Sequence, residues 1–213
     1  MTKVRRPRQP GPTRAYRIEG KDIFVFDGLF TRPEITQVDR ECASLDYMRA
    51  WNAELNRGYT EWSVLLEPRT SRQHVVVQRI EARLAALYPS WRLSLQESYV
   101  KNLCYGDCPY PHIDGRSQRD RMLISAVYYA NLRWDPVWGG ETHFFNGDMD
   151  AVLSVSPSPG RLVIFDGTIT HRAGAPMRNC QASRYSLINK FRGVPRAGHI
   201  SDTSPFERSF IAL

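Results

Sequence analysis

The hydrophobic rhythm of the chain changes once, near Trp91. Ahead of that point the first apolar run is Ile23-Phe24-Val25-Phe26. It is closed by Asp27-Gly28 and predicts a short strand. Thr31-Arg32-Pro33-Glu34 follows. A threonine cap, a proline in the first turn and a glutamate three residues on predict a helix start, running to about Tyr47. A second helix is predicted from about Arg72 to Leu87. Val75, Ile80, Leu84 and Leu87 keep helical spacing there, and Pro89 stops it. The stretch between them, Met48 to Thr70, has no clean period and reads as a long loop.

Beyond Trp91 the pattern is short, β-branched and aromatic. Segments 92–105, 121–131, 141–146, 151–156, 160–166 and 183–192 are separated by Pro109, Gly139-Gly140, Asn146-Gly147 and Pro157 to Gly160. Many short strands at such spacing predict a sandwich or barrel. The plan is mainly β with supporting helices: helical support over about 31–88, then a jelly-roll core over about 91–192. At 213 residues the chain has the length of one generous domain, taken as 18–213.

Charge adds an appendage to this picture. The formal net charge is +7. Residues 1–17 hold Lys3, Arg5, Arg6, Arg8, Arg14 and Arg17 and no acid. Taking those six from the 29 basic residues leaves 23 against 22 acids, so the body is near neutral. The tail, with Pro7, Pro10, Gly11 and Pro12, reads as basic and disordered. A nucleic-acid partner has only this tail in its favour and is not expected. No apolar run is long enough to span a membrane, and no apolar segment follows the first residues, so a cytoplasmic protein without a membrane partner is expected. The four cysteines, Cys42, Cys104, Cys108 and Cys180, form no CxxC pair and read as reduced thiols.

The chemistry centres on Tyr110-Pro111-His112-Ile113-Asp114-Gly115. Residues two apart on an extended chain share a face, so His112 and Asp114 project together. Alone, such a pair is weak and equally fits a hydrogen-bonded His-Asp in a polar loop. A third ligand is available in His171, which follows the strand Leu162-Val163-Ile164-Phe165-Asp166 and, in Thr170-His171-Arg172, sits at a strand edge in the β body. Two imidazoles and one carboxylate leave open positions on an octahedral metal, the arrangement of non-heme Fe(II) oxygenases. A chelating 2-oxo acid would take two of those positions and O2 a third. Its distal carboxylate needs a planar cation, and Arg184, 13 residues after His171, is the candidate, with Ser186 on the same strand face. Glu141 and His143 also lie two apart, but the Gly139-Gly140 turn accounts for that segment, and neither is read as an iron ligand. Trp51, Tyr59, Trp62, Arg116, Arg119 and Trp134 stand in segments that would border a substrate.

Taken in order, several runs resemble the Fe(II)/2-oxoglutarate-dependent dioxygenases of the prolyl 4-hydroxylase-like group. They are Asn102 to Gly106, His112-Ile113-Asp114, Val127-Tyr128-Tyr129-Ala130-Asn131, Trp138-Gly139-Gly140-Glu141-Thr142, Pro159 to Phe165, His171 and Arg184-Tyr185-Ser186-Leu187. The resemblance spans about Ser98 to Arg192. It implies a double-stranded β-helix, an iron triad of His112, Asp114 and His171, and Arg184 with Ser186 as the 2-oxoglutarate anchor. It further implies that Tyr129 points toward the 2-oxoglutarate carboxylate, that Tyr105 or Asn102 is another contact, and that Thr142 lines the same pocket. Family halogenases lack the carboxylate ligand; here Asp114 is present, so hydroxylation is the expected outcome.

The expectation is an Fe(II)-, 2-oxoglutarate- and O2-dependent hydroxylase acting on an unactivated C–H of a small molecule, an amino acid or natural-product intermediate, with release of succinate and CO2. A protein or peptide residue is the alternative substrate. From another class, a non-catalytic cupin-like binding module remains as a reading.

Overall fold

A computed structural model describes residues 11–51, 60–107, 109–116 and 121–196. Eleven strands, three α-helices and a 3-10 helix at Pro136–Trp138 are defined among them. In chain order they are β1 (Arg14–Ile18), β2 (Lys21–Phe26), α1 (Arg32–Ala43), β3 (Met48–Trp51), β4 (Thr60–Leu66), α2 (Pro68–Ser71) and α3 (Val75–Leu87). Then follow β5 (Trp91–Leu103), β6 (Met122–Tyr129), β7 (Thr142–Phe145), β8 (Ala151–Val155), β9 (Leu162–Asp166), β10 (His171–Ala173) and β11 (Arg184–Pro195). Eight strands form one sheet in the order β1-β2-β9-β6-β11-β5-β4-β3, and three form a second, β10-β7-β8. The named strand pairs are antiparallel.

The helices cover one face of the large sheet and the small sheet covers the other. Phe24, Phe26, Ile124, Ala126, Leu162, Ile164 and Leu187 pack with Val38, Val77, Ile80 and Leu84 of α1 and α3. Their chain neighbours Ile23, Val25, Val127, Val163, Phe165 and Ile188 pack inward with Phe144 and Val155 of the small sheet. Both faces of the central strands are therefore buried, which is why these strands read as near-continuous apolar runs. The result is the jelly-roll with helical support.

The helix start at Thr31 is a full capping box. Glu34 N–H donates to Thr31 Oγ1 at 3.4 Å, and Thr31 N–H donates to Glu34 Oε2 at 2.7 Å. α3 is capped by His74, whose Nδ1 accepts from Val76 N–H at 3.3 Å while Nε2 meets Glu41 Oε2 at 2.9 Å and ties α3 to α1.

Two expectations are corrected. First, the basic tail ends earlier than residue 17. Arg14–Ile18 is a strand on β2, with Arg14 paired to Asp27 at 3.2 Å and Arg17 to Asp22 at 2.9 Å. Two charges assigned to a free tail thus have carboxylate partners across a hairpin; residues 1–10 lie outside the described residues. Second, the segment 48–70 is not one loop, and the span 31–88 is not purely helical. β4 extends the large sheet through the register Trp62↔Asn102 to Leu66↔Ser98, and β3 extends it further. Near the sheet edge one strand face meets solvent: Leu65 is exposed and Leu66 packs on the core, a pattern too short to show a period. His171, expected at a strand edge in the β body, stands at the start of a strand, β10, which pairs with β7 as His171↔Phe144. No helix of the described residues is long and apolar enough to cross a membrane.

Candidate active site

The peptide links of the candidate ligands are paired before their side chains meet. His112 and His171 form an isolated antiparallel bridge, each N–H donating to the other's carbonyl at 3.0 and 2.9 Å. Asp114 N–H donates to Gly167 O at 2.8 Å. The strand-like segment 112–114 is thereby laid beside the end of β9 and the start of β10. One ligand atom from each of His112, Asp114 and His171 lies within 4.8 Å of the others. His171 Nε2 is 3.4 Å from Asp114 Oδ2, and His112 Nε2 is 3.9 Å from Oδ1.

The ring orientation is set from behind. His112 Nδ1 sits 3.0 Å from Tyr110 O and His171 Nδ1 sits 2.9 Å from Ile169 O. A carbonyl can only accept, so each Nδ1 carries the proton and each Nε2 lone pair faces the cluster. Burial pushes the His171 imidazole down to about 4 and lowers His112 as well, so both rings stay neutral near pH 7. Burial opposes the Asp114 charge, but Lys190 and the Ser125 hydroxyl, joined by the two imidazoles only when these are protonated, hold its carboxyl below the usual range. Ser125 Oγ donates to Asp114 Oδ2 at 2.5 Å. Two neutral imidazoles and one ionised carboxylate, converging with their tautomers fixed, are a fitting donor set for a divalent metal such as Fe(II).

Arg184 opens β11 and is 1% exposed. Its Nε donates to Gly140 O at 2.6 Å, one Nη to Ser186 Oγ at 2.6 Å and the other to Thr142 Oγ1 at 3.2 Å. The guanidinium carbon lies 5.1 Å from the centre of the Tyr129 ring, and Tyr129 Oη is 2.7 Å from Thr142 Oγ1. Gly140 makes this approach possible. Its φ is +79°, and an added Cβ would come within 3.1 Å of Arg184 Cδ. Burial lowers the guanidinium's proton affinity without discharging it. Among the described residues no carboxylate lies within ion-pair distance of it. A buried cation held only by neutral oxygens is a cradle for an anion.

A cavity of about 40 Å³ joins the two parts. It is lined by the triad and by Tyr99, Lys101, Val127, Thr142, Ala173, Arg184, Ser186 and Ile188. A larger cavity of about 370 Å³ lies on the other face of the sheet, against α1 and α3, with a lining dominated by Val38, Leu66, Val77, Val100 and Leu187; it holds none of the triad.

The predicted residues divide accordingly. His112, Asp114, His171, Arg184, Ser186 and Thr142 line the cavity, with Tyr129 stacked behind Arg184. Asn102 and Tyr105 do not reach it. The register Lys101↔Ser186 and Asn102↔Tyr185 puts Lys101 on the cavity face and Asn102 on the opposite one. Tyr105 is 64% exposed in the turn after β5, where Asp107 Oδ2 accepts from Cys104 N–H at 2.7 Å and the chain turns outward. His143 faces away from the triad, with Nδ1 2.8 Å from Ser154 Oγ. Trp134 donates to Gly139 O at 3.0 Å and so packs behind the Arg184 loop; Tyr59 and Arg119 lie outside the described residues. Tyr99, Lys101, Ser125, Ile188 and Lys190 were not foreseen. Ile188 and Lys190 continue the two-residue alternation from Arg184 and Ser186, a signal present in the sequence; the others needed the cross-strand register. Lys190 reads as a solvated strand-end charge in sequence but is only 21% exposed and lies 3.1 Å from Asp114 Oδ1.

A jelly-roll with two imidazoles and a carboxylate converging beside a buried arginine defines a metal-dependent oxygenase architecture. Residues 100–192 match the family model of the 2OG-Fe(II) oxygenase superfamily, a stretch that includes the triad and Arg184. The match covers less than half of the chain, and the superfamily is named for its dependence on 2-oxoglutarate and Fe(II). Solved structures share the fold over most of the chain. A Pseudomonas putida prolyl-4-hydroxylase is 18% identical over 82% of this chain and 93% of that one, with a TM-score of 0.54. A Trichoplax adhaerens prolyl hydroxylase, solved with a hypoxia inducible factor peptide fragment, is 17% identical over 81% and 83%, with a TM-score of 0.57. The non-heme alpha-ketoglutarate-dependent epimerase SnoN from nogalamycin biosynthesis is 19% identical over 83% and 80%, with a TM-score of 0.59. At such identities the likeness shows the fold. A search of curated proteins finds no match.

Proposed function

We propose that the chain is an Fe(II)- and 2-oxoglutarate-dependent hydroxylase of an unactivated C–H bond in a small molecule, an amino acid or natural-product intermediate. One observation carries the reading: the convergent triad and the buried, carboxylate-free Arg184 open onto the same cavity. In this reading His112 Nε2, His171 Nε2 and an Asp114 oxygen hold Fe(II). Arg184, with Ser186 and Thr142, holds the distal carboxylate of 2-oxoglutarate, and Tyr129 backs the guanidinium. Bound iron with 2-oxoglutarate supplies the O2-dependent oxidation that no side chain can perform, with succinate and CO2 as co-products.

The chain's own work is orientation and exclusion. The Tyr110 and Ile169 carbonyls keep the imidazoles turned toward the metal. Ser125 holds one Asp114 oxygen and Lys190 approaches the other, which fixes the orientation of the carboxylate. Val127, Ala173 and Ile188 give the cavity an apolar wall that limits water around the reacting C–H. The small-molecule reading draws support from SnoN, an enzyme of natural-product biosynthesis with the same fold. A residue of a protein or peptide is the second reading, favoured by the prolyl hydroxylases among the neighbours, one of them bound to a peptide. A non-catalytic binding module would have no use for the retained metal donors and anchor together.

The test is anaerobic. Fe(II) and 2-oxoglutarate added to the purified protein should give the visible charge-transfer absorption of a chelated 2-oxo acid. His112→Ala should abolish that absorption and lower iron-dependent 2-oxoglutarate decarboxylation by more than about 100-fold. Metal-loaded protein without the absorption, or wild-type decarboxylation in the variant, would reject the reading.

A further inference from the structure

The larger cavity, of about 370 Å³, lies on the face of the large sheet opposite the triad. Its volume falls in the range of small-molecule sites, about 300–1,000 Å³. Its apolar surface comes chiefly from Leu45 of the turn after α1, Leu66 of β4, Val77 of α3, Val100 of β5 and Leu187 of β11. It opens to solvent: Leu65 on its lining is 74% exposed, and the Glu41 side chain is 45% exposed. The floor holds Ser98, Val100 and Leu187, whose chain neighbours Tyr99, Lys101, Ser186 and Ile188 line the triad cavity. The two cavities are therefore separated by the thickness of one sheet.

The polar side chains of the lining can be followed hydrogen by hydrogen. The Ser98 hydroxyl donates to Asn189 Oδ1 at 2.9 Å, and the Ser71 hydroxyl to Glu67 O at 2.8 Å. The Thr70 hydroxyl donates to Glu67 Oε2 at 3.0 Å. His74 uses both ring nitrogens. Nδ1 accepts from Val76 N–H at 3.3 Å, which leaves the hydrogen on Nε2, and Nε2 donates to Glu41 Oε2 at 2.9 Å. Glu41 and Glu67 are carboxylates and only accept. Cys42 adds an S–H, a weak donor, and burial pushes that thiol up to about 12. Among the described residues lining the cavity, no side-chain N–H or O–H is left over. Lone pairs are left: each serine oxygen gives one hydrogen and can still accept. Ser98 and Ser71 are both buried. A ligand that brings only acceptors loses its bonds to water with nothing in return, whereas one O–H or N–H finds a partner. The described lining holds no lysine or arginine, so it offers an anion no counter-charge, and any charge in so apolar an interior is costly.

We propose that this cavity is a second small-molecule site, whose ligand is an uncharged, largely apolar molecule with one O–H or N–H donor, such as an indole, a phenol or an alcohol, received by the Ser98 and Ser71 oxygens. The proposal stands independently of the hydroxylase reading.

The test uses the full chain and two probes that differ by one donor: indole, whose N–H only donates, and 1-methylindole, which lacks it. Saturation-transfer NMR reads binding directly, without turnover. Indole should bind saturably with a Kd on the order of 1 mM. 1-Methylindole should bind at least about 5-fold more weakly, the scale of one hydrogen bond in a buried site. The double variant Ser71→Ala with Ser98→Ala should bring indole down to the 1-methylindole value. Val77→Phe from the helix side and Val100→Phe from the sheet side should each abolish binding of both probes by filling the space. Melting curves identify which variants fold, and one folded filling variant suffices. Equal Kd values for the two probes in the wild-type chain overturn the proposal, as does the absence of saturable indole binding. Indole binding that persists in a folded filling variant also overturns it, because the probe then sits elsewhere. So does indole that keeps its advantage over 1-methylindole in the serine double variant, because the donor is then received by another group. If neither filling variant folds, the serine double variant decides the matter alone.

Discussion

The two faces of β11 are made by neighbouring residues and do opposite work. Leu187 and Phe191 turn toward α1 and α3 and disappear into an apolar layer, with Tyr185 packed against it. Arg184, Ser186, Ile188 and Lys190 turn toward the triad, and three of these four are polar. On the helix face a side chain matters through its volume, because packing there is close and non-directional. On the cavity face it matters through its direction. Arg184 donates three hydrogen bonds to named oxygens, and Lys190 sits between two carboxylates. Asn189 is the exception on the helix side. It is fully buried, accepts from Ser98 Oγ at 2.9 Å through Oδ1, and its Nδ2 finds no partner among the described residues. A strand with period two can thus separate stability from chemistry at single-residue resolution.

Substitutions three residues apart should break this separation if it is wrong. Arg184→Met should weaken 2-oxoglutarate binding by about 100-fold, the scale of losing a forked, charge-assisted contact in a dry site. Its melting temperature without co-substrate should stay near the wild-type value, because a buried cation lacking a carboxylate partner is replaced by an apolar group of similar reach. Leu187→Ala should do the reverse. Emptying a buried leucine site costs about 2–5 kcal/mol, or roughly 5–15 °C in Tm for a chain of this size, with 2-oxoglutarate affinity unchanged within about 3-fold. Calorimetry and a titration on the two proteins decide it. A large Tm loss in Arg184→Met with intact binding would show that the arginine is a structural group and that the two faces are not divided as described.

What could be read from the sequence follows the same division. Runs such as Ile23–Phe26 and Leu162–Phe165 announced central strands because both faces are buried there, and the Thr31/Glu34 spacing announced α1. β1, β3 and β4 stayed hidden because they lie toward the edges of the sheet, where one face is polar and composition falls back to that of a loop. In the site, residues linked by local alternation were legible: His112 with Asp114, and Arg184 with Ser186. Those linked across strands were not. Choosing Asn102 over Lys101 is a one-residue error in the frame of β5, and a one-residue slip exchanges the faces of a strand. Nothing in a linear sequence says that Glu97 pairs with Lys190, so the ammonium beside Asp114 could not be placed.

The smallest expected effect belongs to a region outside both faces, the N-terminus of α1. Glu34 Oε2 accepts from Thr31 N–H at 2.7 Å, and Oε1 meets Arg79 Nη2 at 2.8 Å. The Thr31 N–H bond, helped by the Thr31 hydroxyl and Arg79, lowers the Glu34 carboxyl from its ordinary 4.5. The unfolded chain therefore takes up this proton at a higher pH than the folded one. The stabilisation is fully present above pH 4.5 and is lost as pH falls through the lower folded value. Glu34→Gln should lower Tm by about 1–3 °C near pH 7, in the range of a weakened helix cap. The gap between variant and wild type should close as the pH is lowered below the ordinary carboxyl range, because the wild-type side chain then becomes neutral too. Melting curves at a series of pH values read this directly. A gap that stays constant into acid would mean that the shape of the side chain, and not its charge, holds the cap, while 2-oxoglutarate affinity, set on the far side of the sheet, should not move in either case.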